Sequence, residues 1–289
     1  MEFSIIKASK PVCKIITNDK QGTGFFIKLC KDNKDFYCLM TNENLISKEM
    51  VNLKQTIKIS YNNELEIKEI KLNEDERYIK DYKNMNIDII IIEIIKKDEI
   101  KEKLFLLPYL GDNNILINKK INIIQYPRGC LSFSSGKILN IDKYEIIHDG
   151  NTDFGSSGSP IFLENTEFVV GIHKECSKEK RENYGDLLYP VIMDLKQQIN
   201  YNNGDYYKGE IKGGKAYGKG ILYYKNGNIK YEGDFINDKY EGNGKYYYEN
   251  SEYYIGQWKN GLKHGKGIIY YQNGNIKYER DFINNELLK

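Results

Sequence analysis

Gly155-Ser156-Ser157-Gly158-Ser159-Pro160, approached through Thr152 and followed by the apolar run 161–163, decides the reading of this 289-residue chain. A nucleophilic hydroxyl needs a tight, glycine-permitted turn, so that nearby backbone N–H groups can point at the oxyanion that develops during attack. Gly155 and Ser157 would supply those donors, and Ser157 the hydroxyl. Outward from this turn the chain is made of short β-branched runs, VCKIIT, GTGFFIKL, FYCLM, TIKISY, IDIIIIEI, KINIIQY and EFVVGIH, alternating with polar turns. Many short strands in this pattern predict a barrel or sandwich. YPVIMDLKQQI, with Val191, Ile192, Leu195 and Ile199 at helical spacing, predicts a helix that closes the domain.

The hexapeptide resembles the active-serine loop of trypsin-like serine peptidases, and Gly171-Ile172-His173 is similar to the strand that walls their substrate pocket. Toward the N-terminus, GTGFFI at 22–27 resembles the glycine-bearing strand of their first barrel, and LMTNENLIS at 39–47 their histidine segment. That segment reads Thr-Asn-x-His or Thr-Ala-x-His in the family, whereas here Thr41, Asn42 and Glu43 are followed by Asn44. Asp88, within Asn86-Ile87-Asp88-Ile89-Ile90, matches the buried triad aspartate. The likeness spans residues 4–199 and implies a mainly β fold, a chymotrypsin-type double six-stranded barrel with a cleft between the barrels.

The three histidines, His148, His173 and His264, all follow Asp88, while in this family the base comes first in the chain. Asparagine has no nitrogen that accepts a proton near neutral pH, so Asn44 can neither deprotonate Ser157 nor protonate a leaving amine. Loss of the histidine from such a triad costs on the order of 10⁶ in turnover. The resemblance therefore implies a catalytically impaired homologue that binds peptides. The alternative is an active serine endopeptidase preferring Glu or Asp, in which His148, a water or a partner group serves Ser157 as an irregular base. Thr152 and His173 resemble the pair with which glutamyl endopeptidases hold an acidic side chain, and a hydroxyl and an imidazole can both donate to a carboxylate.

Beyond Tyr201 the chain turns rich in Gly and Tyr and repeats every 23 to 24 residues, from Tyr207, Tyr231 and Tyr254, with a shortened copy at Tyr278. Each full copy has a Gly two residues after the Tyr, an apolar residue after four, and a closing Gly-x-Gly: Gly218 and Gly220, Gly242 and Gly244, Gly265 and Gly267. Asn226-Gly227 and Asn273-Gly274 predict hairpin turns. One unit cannot bury its aromatic face alone, so the copies must stack and share a core. Residues 205–289 resemble a MORN-repeat array, a short β-hairpin solenoid, in which Arg280, standing where Gly is expected, marks an end cap. The resemblance implies protein contacts and, less strongly, acidic phospholipid. Lys212, Lys215, Lys219, Lys259, Lys263 and Lys266 could face headgroups, but Asp and Glu are nearly as frequent there, which favours a solvated face.

Two domains are expected, a peptidase-like one over 1–200 and a repeat domain over 205–289. A net charge of +2, with Lys and Arg spread along the chain, leaves no basic stripe for nucleic acid. The N-terminus lacks a basic start with a sustained apolar run, and the longest apolar stretch contains acids, so a cytoplasmic protein is expected. The five cysteines show no metal-ligand spacing and are expected to be reduced, buried thiols, with no cofactor or metal.

Overall fold

The computed structural model describes residues 5–32, 34–111, 113–177 and 182–287, so the expected outer limits at Ser4 and Lys289 lie outside the described residues. The chain forms two compact units, one of residues 1–30 and 34–191, the other of residues 31–33 and 192–289.

In the first unit, β1 (Val12–Ile16), β2 (Gln21–Lys31), β3 (Lys34–Thr41), β4 (Thr56–Tyr61), β5 (Glu66–Lys71), β6 (Ile79–Asp81) and β7 (Ile90–Glu93) form one sheet. Its order is β5-β4-β1-β2-β3-β7-β6, and β1 with β2 and β4, β4 with β5, and β7 with β3 and β6 pair antiparallel. β-Branched residues dominate the inward positions, so Ile15, Ile57, Ile59, Ile90 and Ile92 bury themselves around Phe26 and Tyr61, whose rings meet edge to face at 5.2 Å. The second sheet is built from β8 (Leu107–Pro108), β9 (Lys120–Gln125), β10 (Ser132–Asp142), β11 (Glu145–His148), β12 (Pro160–Leu163), β13 (Phe168–Ser177) and β14 (Glu182–Leu187). β12 pairs with both β9 and β13, which closes β9 to β14 into a six-stranded barrel around Ile121, Ile123, Ile138, Ile146, Ile161 and Val170. The double barrel is therefore present with one difference from expectation. Among the described residues the first sheet has seven strands and is not closed by hydrogen bonds.

Two further expectations are corrected. The helix covers only Tyr189–Asp194, and Gln198–Asn200 is instead a strand paired with Tyr206–Lys208, because the backbone groups beyond Leu195 find partners in the repeat sheet. Nor are the thiols uniformly buried. Cys13 and Cys38 are enclosed, but Cys30 and Cys176, pointed outward from β2 and β13, and Cys130, in the turn after Gly129, are exposed.

In the second unit β15 (Gln198–Asn200), β16 (Tyr206–Lys212), β17 (Lys215–Tyr223), β18 (Ile229–Ile236), β19 (Lys239–Tyr247), β20 (Tyr253–Lys259), β21 (Leu262–Tyr270), β22 (Ile276–Ile283) and β23 (Glu286–Leu287) pair in sequence order as one antiparallel sheet. The repeat period equals one hairpin plus its connection. Gly209, Gly220, Gly233, Gly244, Gly256 and Gly267 stand opposite one another in one continuous row, which ends at Arg280. The row exists because Tyr207, Tyr231 and Tyr254 lie over it. A Cβ on Gly244 would fall 2.2 Å from the Tyr231 hydroxyl oxygen, and one on Gly267 2.3 Å from that of Tyr254. Each hydroxyl donates to the carbonyl three residues on: Tyr207 to Glu210 at 2.9 Å, Tyr231 to Asp234 at 3.3 Å, Tyr254 to Gln257 at 3.1 Å. In the last copy Arg280 fills the glycine place and Tyr278 is 49% exposed, so loss of the glycine and loss of the buried ring occur together. At the Asn-Gly turns only the glycine takes a positive φ. The Asn226 and Asn273 side chains instead accept from the N–H two residues on.

No helix among the described residues is long and apolar enough to cross a membrane.

Candidate functional site

The serine loop is held from both barrels. Within it, the Ser156 N–H donates to the Asp153 carbonyl, and Ser156 Oγ accepts from the Asp153 N–H. At its exit, Gly158 N–H bonds to His173 O and His173 N–H to Ser159 O, at 2.9 and 2.8 Å, which joins the turn to β13. From the first barrel Thr23, the Thr of GTGFFI, donates its hydroxyl to Gly155 O at 2.9 Å, and its N–H donates to Ser157 O at 3.0 Å. Gly158 has φ +90°, and a Cβ there would fall 1.9 Å from Thr23 O, so the close approach of the two barrels requires glycine.

The Phe154 carbonyl accepts from Arg128 N–H at 2.7 Å. In a trans peptide the next N–H points the opposite way, so the N–H of Gly155 is directed away from Arg128. Neither this N–H nor that of Ser157 has an acceptor among the described residues.

The Ser157 hydroxyl itself donates to the backbone carbonyl of Lys174, at 2.8 Å. Asn44, within segment 39–47, turns to Asp88: its Nδ2 donates to Oδ2 at 2.8 Å and its N–H to Oδ1 at 3.2 Å. Asn42 fixes the other side of the aspartate by donating Nδ2 to the Asp88 carbonyl at 2.6 Å. Burial raises the Asp88 carboxyl above the ordinary range, against the lowering effect of the N–H groups of Asn44 and Glu43.

Two residues that sequence reasoning missed complete this arrangement. Asp186, 1% exposed, accepts the Asp88 N–H at 2.8 Å, and burial pushes its carboxyl up to about 6. Lys174 pairs with Glu145 at 3.3 Å, and its charge lowers the pKa of both Asp88 and Asp186. An acid inside the apolar stretch YGDLLY was the available signal for Asp186. Nothing in the sequence marks Lys174, whose carbonyl meets Ser157.

His148 and His173 face one another rather than a nucleophile. Their nearest nitrogens, Nε2 and Nδ1, are 3.3 Å apart, both rings are essentially inaccessible to solvent, and burial lowers both pKa values well below 6.5. Thr152 gives its hydroxyl to Asn183 Oδ1 at 2.5 Å, while Asn183 Nδ2 donates to the Gly150 carbonyl. The hydrogen bonds thus join Ser157 to the Lys174 backbone and, separately, Asn44, Asp88 and Asp186 to one another, and they place Thr152 and His173 each against a different partner. His264 lies in β21 of the array.

Residues 207–229, 231–253 and 254–276 match the MORN repeat family model. The array is a run of MORN repeats. The first unit is similar in structure to a Glu endopeptidase solved with MPD, at 17% identity and TM-score 0.50 over 68% of this chain and 93% of that one. It is also similar to a serine endoprotease from Yersinia pestis, at 13% identity and TM-score 0.50 over 66% of this chain and 65% of that one. These likenesses show the trypsin-like fold ahead of the MORN repeats. A search of curated proteins found no sequence relative.

Proposed function

We propose that this chain is a catalytically impaired peptidase homologue, a peptide-binding and scaffolding protein whose MORN repeats carry further protein contacts. One observation supports the reading above the others: the place of the base is taken by a carboxamide that hydrogen-bonds Asp88, while the serine hydroxyl donates to a main-chain carbonyl. With no group to take its proton, Ser157 is an ordinary alcohol, and the free N–H groups of Gly155 and Ser157 become a seat for a ligand carbonyl. A ligand with a Glu or Asp side chain would draw on Thr152 and His173. It would have to take the Thr152 hydroxyl from Asn183 and turn His173 from His148, and His173, neutral at pH 7, would act as a hydrogen-bond donor rather than as a cation.

The test is labelling with a fluorophosphonate. The parent is expected to react at Ser157 no faster than a surface serine, and Asn44→His to react far faster, with the gain lost in Ser157→Ala. Rapid labelling of the parent would replace this reading by an active enzyme with an irregular base. Matched peptides carrying Glu, Gln or Lys, titrated against the parent, test the acidic preference.

A further inference from the structure

The sheet of MORN repeats has two faces, and the one opposite the buried tyrosines carries its own row of residues. Lys208, Ile221, Glu232, Lys245, Ile255, Ile268 and Glu279 stand side by side across β16 to β22. Next to this row two tyrosine pairs stack almost flat: Tyr206 on Tyr223 at 4.7 Å and 10°, and Tyr253 on Tyr270 at 4.8 Å and 12°. They occupy equivalent places two repeats apart, so the same surface is presented twice.

At the first of these places the chain's own Asp194 and Lys196 reach the sheet. Asp194 is ion-paired with Lys208, and Lys196 reaches Glu210 at 3.5 Å. Ile192, Met193 and Leu195 are buried, and on the sheet Ile221 is 0% and Tyr223 6% exposed. Burial, and then the Asp194 charge, raise the Tyr206 phenol above its ordinary range. At the second place the equivalent residues are open. Ile255 is 41% exposed, Ile268, Tyr253 and Tyr270 are half-buried, and Ile276 beside them is 57% exposed. A hollow of about 640 Å³ lies there, lined by Ile255, Ile268, Lys266, Glu279, Arg280 and Asp281. The row thus runs without a break from a buried copy to an exposed one.

We propose that the surface formed by Tyr253, Ile255, Ile268 and Tyr270 docks a short segment of a partner protein that carries aliphatic residues next to an acid, the residue types of 192–195, whose Asp194 pairs with Lys208 at the first copy. The aliphatic residues cover Ile255 and Ile268. The acid meets Lys245, which adjoins Ile255 in the row and whose ammonium lies 4.2 Å from the Tyr253 ring centroid, or Lys266 and Arg280 at the rim of the hollow. This surface lies wholly within the array, so the proposal does not depend on the state of the serine site.

The test uses the full chain and a labelled peptide, Tyr-Pro-Val-Ile-Met-Asp-Leu-Lys-Gln, with binding followed by fluorescence anisotropy. A free peptide lacks the high effective concentration of a tethered one, so a Kd of roughly 0.1–1 mM is expected. Ile268→Glu should weaken binding at least about tenfold, whereas Ile67→Glu on β5 should leave it unchanged. Lys245→Glu should weaken the acidic peptide and strengthen the version in which Lys replaces its Asp. Unfolding followed at Trp258 confirms that the variants are folded. No binding, or equal binding by parent, Ile268→Glu and Lys245→Glu, overturns the proposal. So does self-association that Ile268→Glu abolishes, which would make the occupant a second copy, or binding of phosphatidylserine vesicles in place of the peptide.

Discussion

Asn44 and Asp88 are joined twice, through Nδ2 to Oδ2 at 2.8 Å and through the backbone N–H to Oδ1 at 3.2 Å. On the proposed reading the carboxamide stands where an imidazole would bond the aspartate, and it holds the acid in orientation. Asn44→Leu removes one donor from a carboxylate that burial already disfavours. Its Asp88 pKa should rise further, and stability at pH 7 should fall by about 1 kcal/mol, limited by the solvent exposure of Asn44. Denaturant unfolding measures the stability and carboxylate NMR the titration; an unchanged Asp88 titration would show that the side-chain bond carries no energy.

In Asn44→His the ring can donate to Asp88 from the same backbone position. If Gly155 and Ser157 are the oxyanion donors, as proposed, then with the Thr23 clamp in place turnover of a peptide ester should rise at least about 10²-fold over the parent. Ser157→Ala in the same background should abolish the gain. No rise, with the fold intact, would locate the impairment at the Ser157–Lys174 bond as well as at the base.

The buried imidazoles make stability depend on acidity. His148 and His173 take protons in the unfolded chain near 6.5 but resist them in the fold, His148 down to about 4. Their contribution is complete above pH 6.5 and is lost as the pH falls through the folded values. Asp186, raised from 3.8 to about 6, acts in the other direction: its contribution is complete below 3.8 and is lost as the pH rises through 6. Between pH 6 and 4 it offsets part of the histidine loss. Urea midpoints from pH 7.5 to 4 should therefore fall more steeply in Asp186→Asn, and less steeply in His148→Phe, than in the parent.

The two halves of the fold were legible for different reasons. The repeat was readable because one tyrosine ring over one glycine row demands the same residues every hairpin, and the departure at Arg280 identified the copy whose Tyr278 is exposed. The serine loop was readable because Gly155 and Gly158 hold positive φ values, which few other residues tolerate. The extent of the helix was not, since Ile199 fits helical spacing but its backbone pairs with Tyr207 in the sheet. Asp186 and Lys174 escaped notice because strands 98 and 86 residues away from Asp88 bring them there, and tertiary contact of that range leaves no local pattern.

The glycine row should be far less tolerant than the turn glycines. Gly244→Ala would force Tyr231 from its place and lose its hydroxyl bonds, at about 2–4 kcal/mol, while Gly274→Ala meets nothing within 4 Å and costs about 1 kcal/mol for its φ of +84°. Trp258, the only tryptophan, packs against Tyr231 at 5.4 Å and reports both changes by fluorescence during unfolding. Equal losses would mean that the ring-over-glycine contact does not organise the array.

Thr23 is the residue on which the two barrels agree about the serine. Its hydroxyl donates to Gly155 O at 2.9 Å and accepts from Tyr126 N–H at 3.0 Å, and it is completely buried. Thr23→Val keeps the shape but strands one buried carbonyl and one buried N–H, a cost of about 2–4 kcal/mol. Because the freed carbonyl belongs to Gly155, the serine turn should lose its fixed geometry along with stability. Combined with Asn44→His, Thr23→Val should therefore lower kcat for ester hydrolysis while the fold, followed by circular dichroism, persists below its reduced Tm. Were kcat unchanged in the double variant, the turn would be held by Gly158 and β13 alone, and the first barrel would contribute only its aspartate and the residue at position 44.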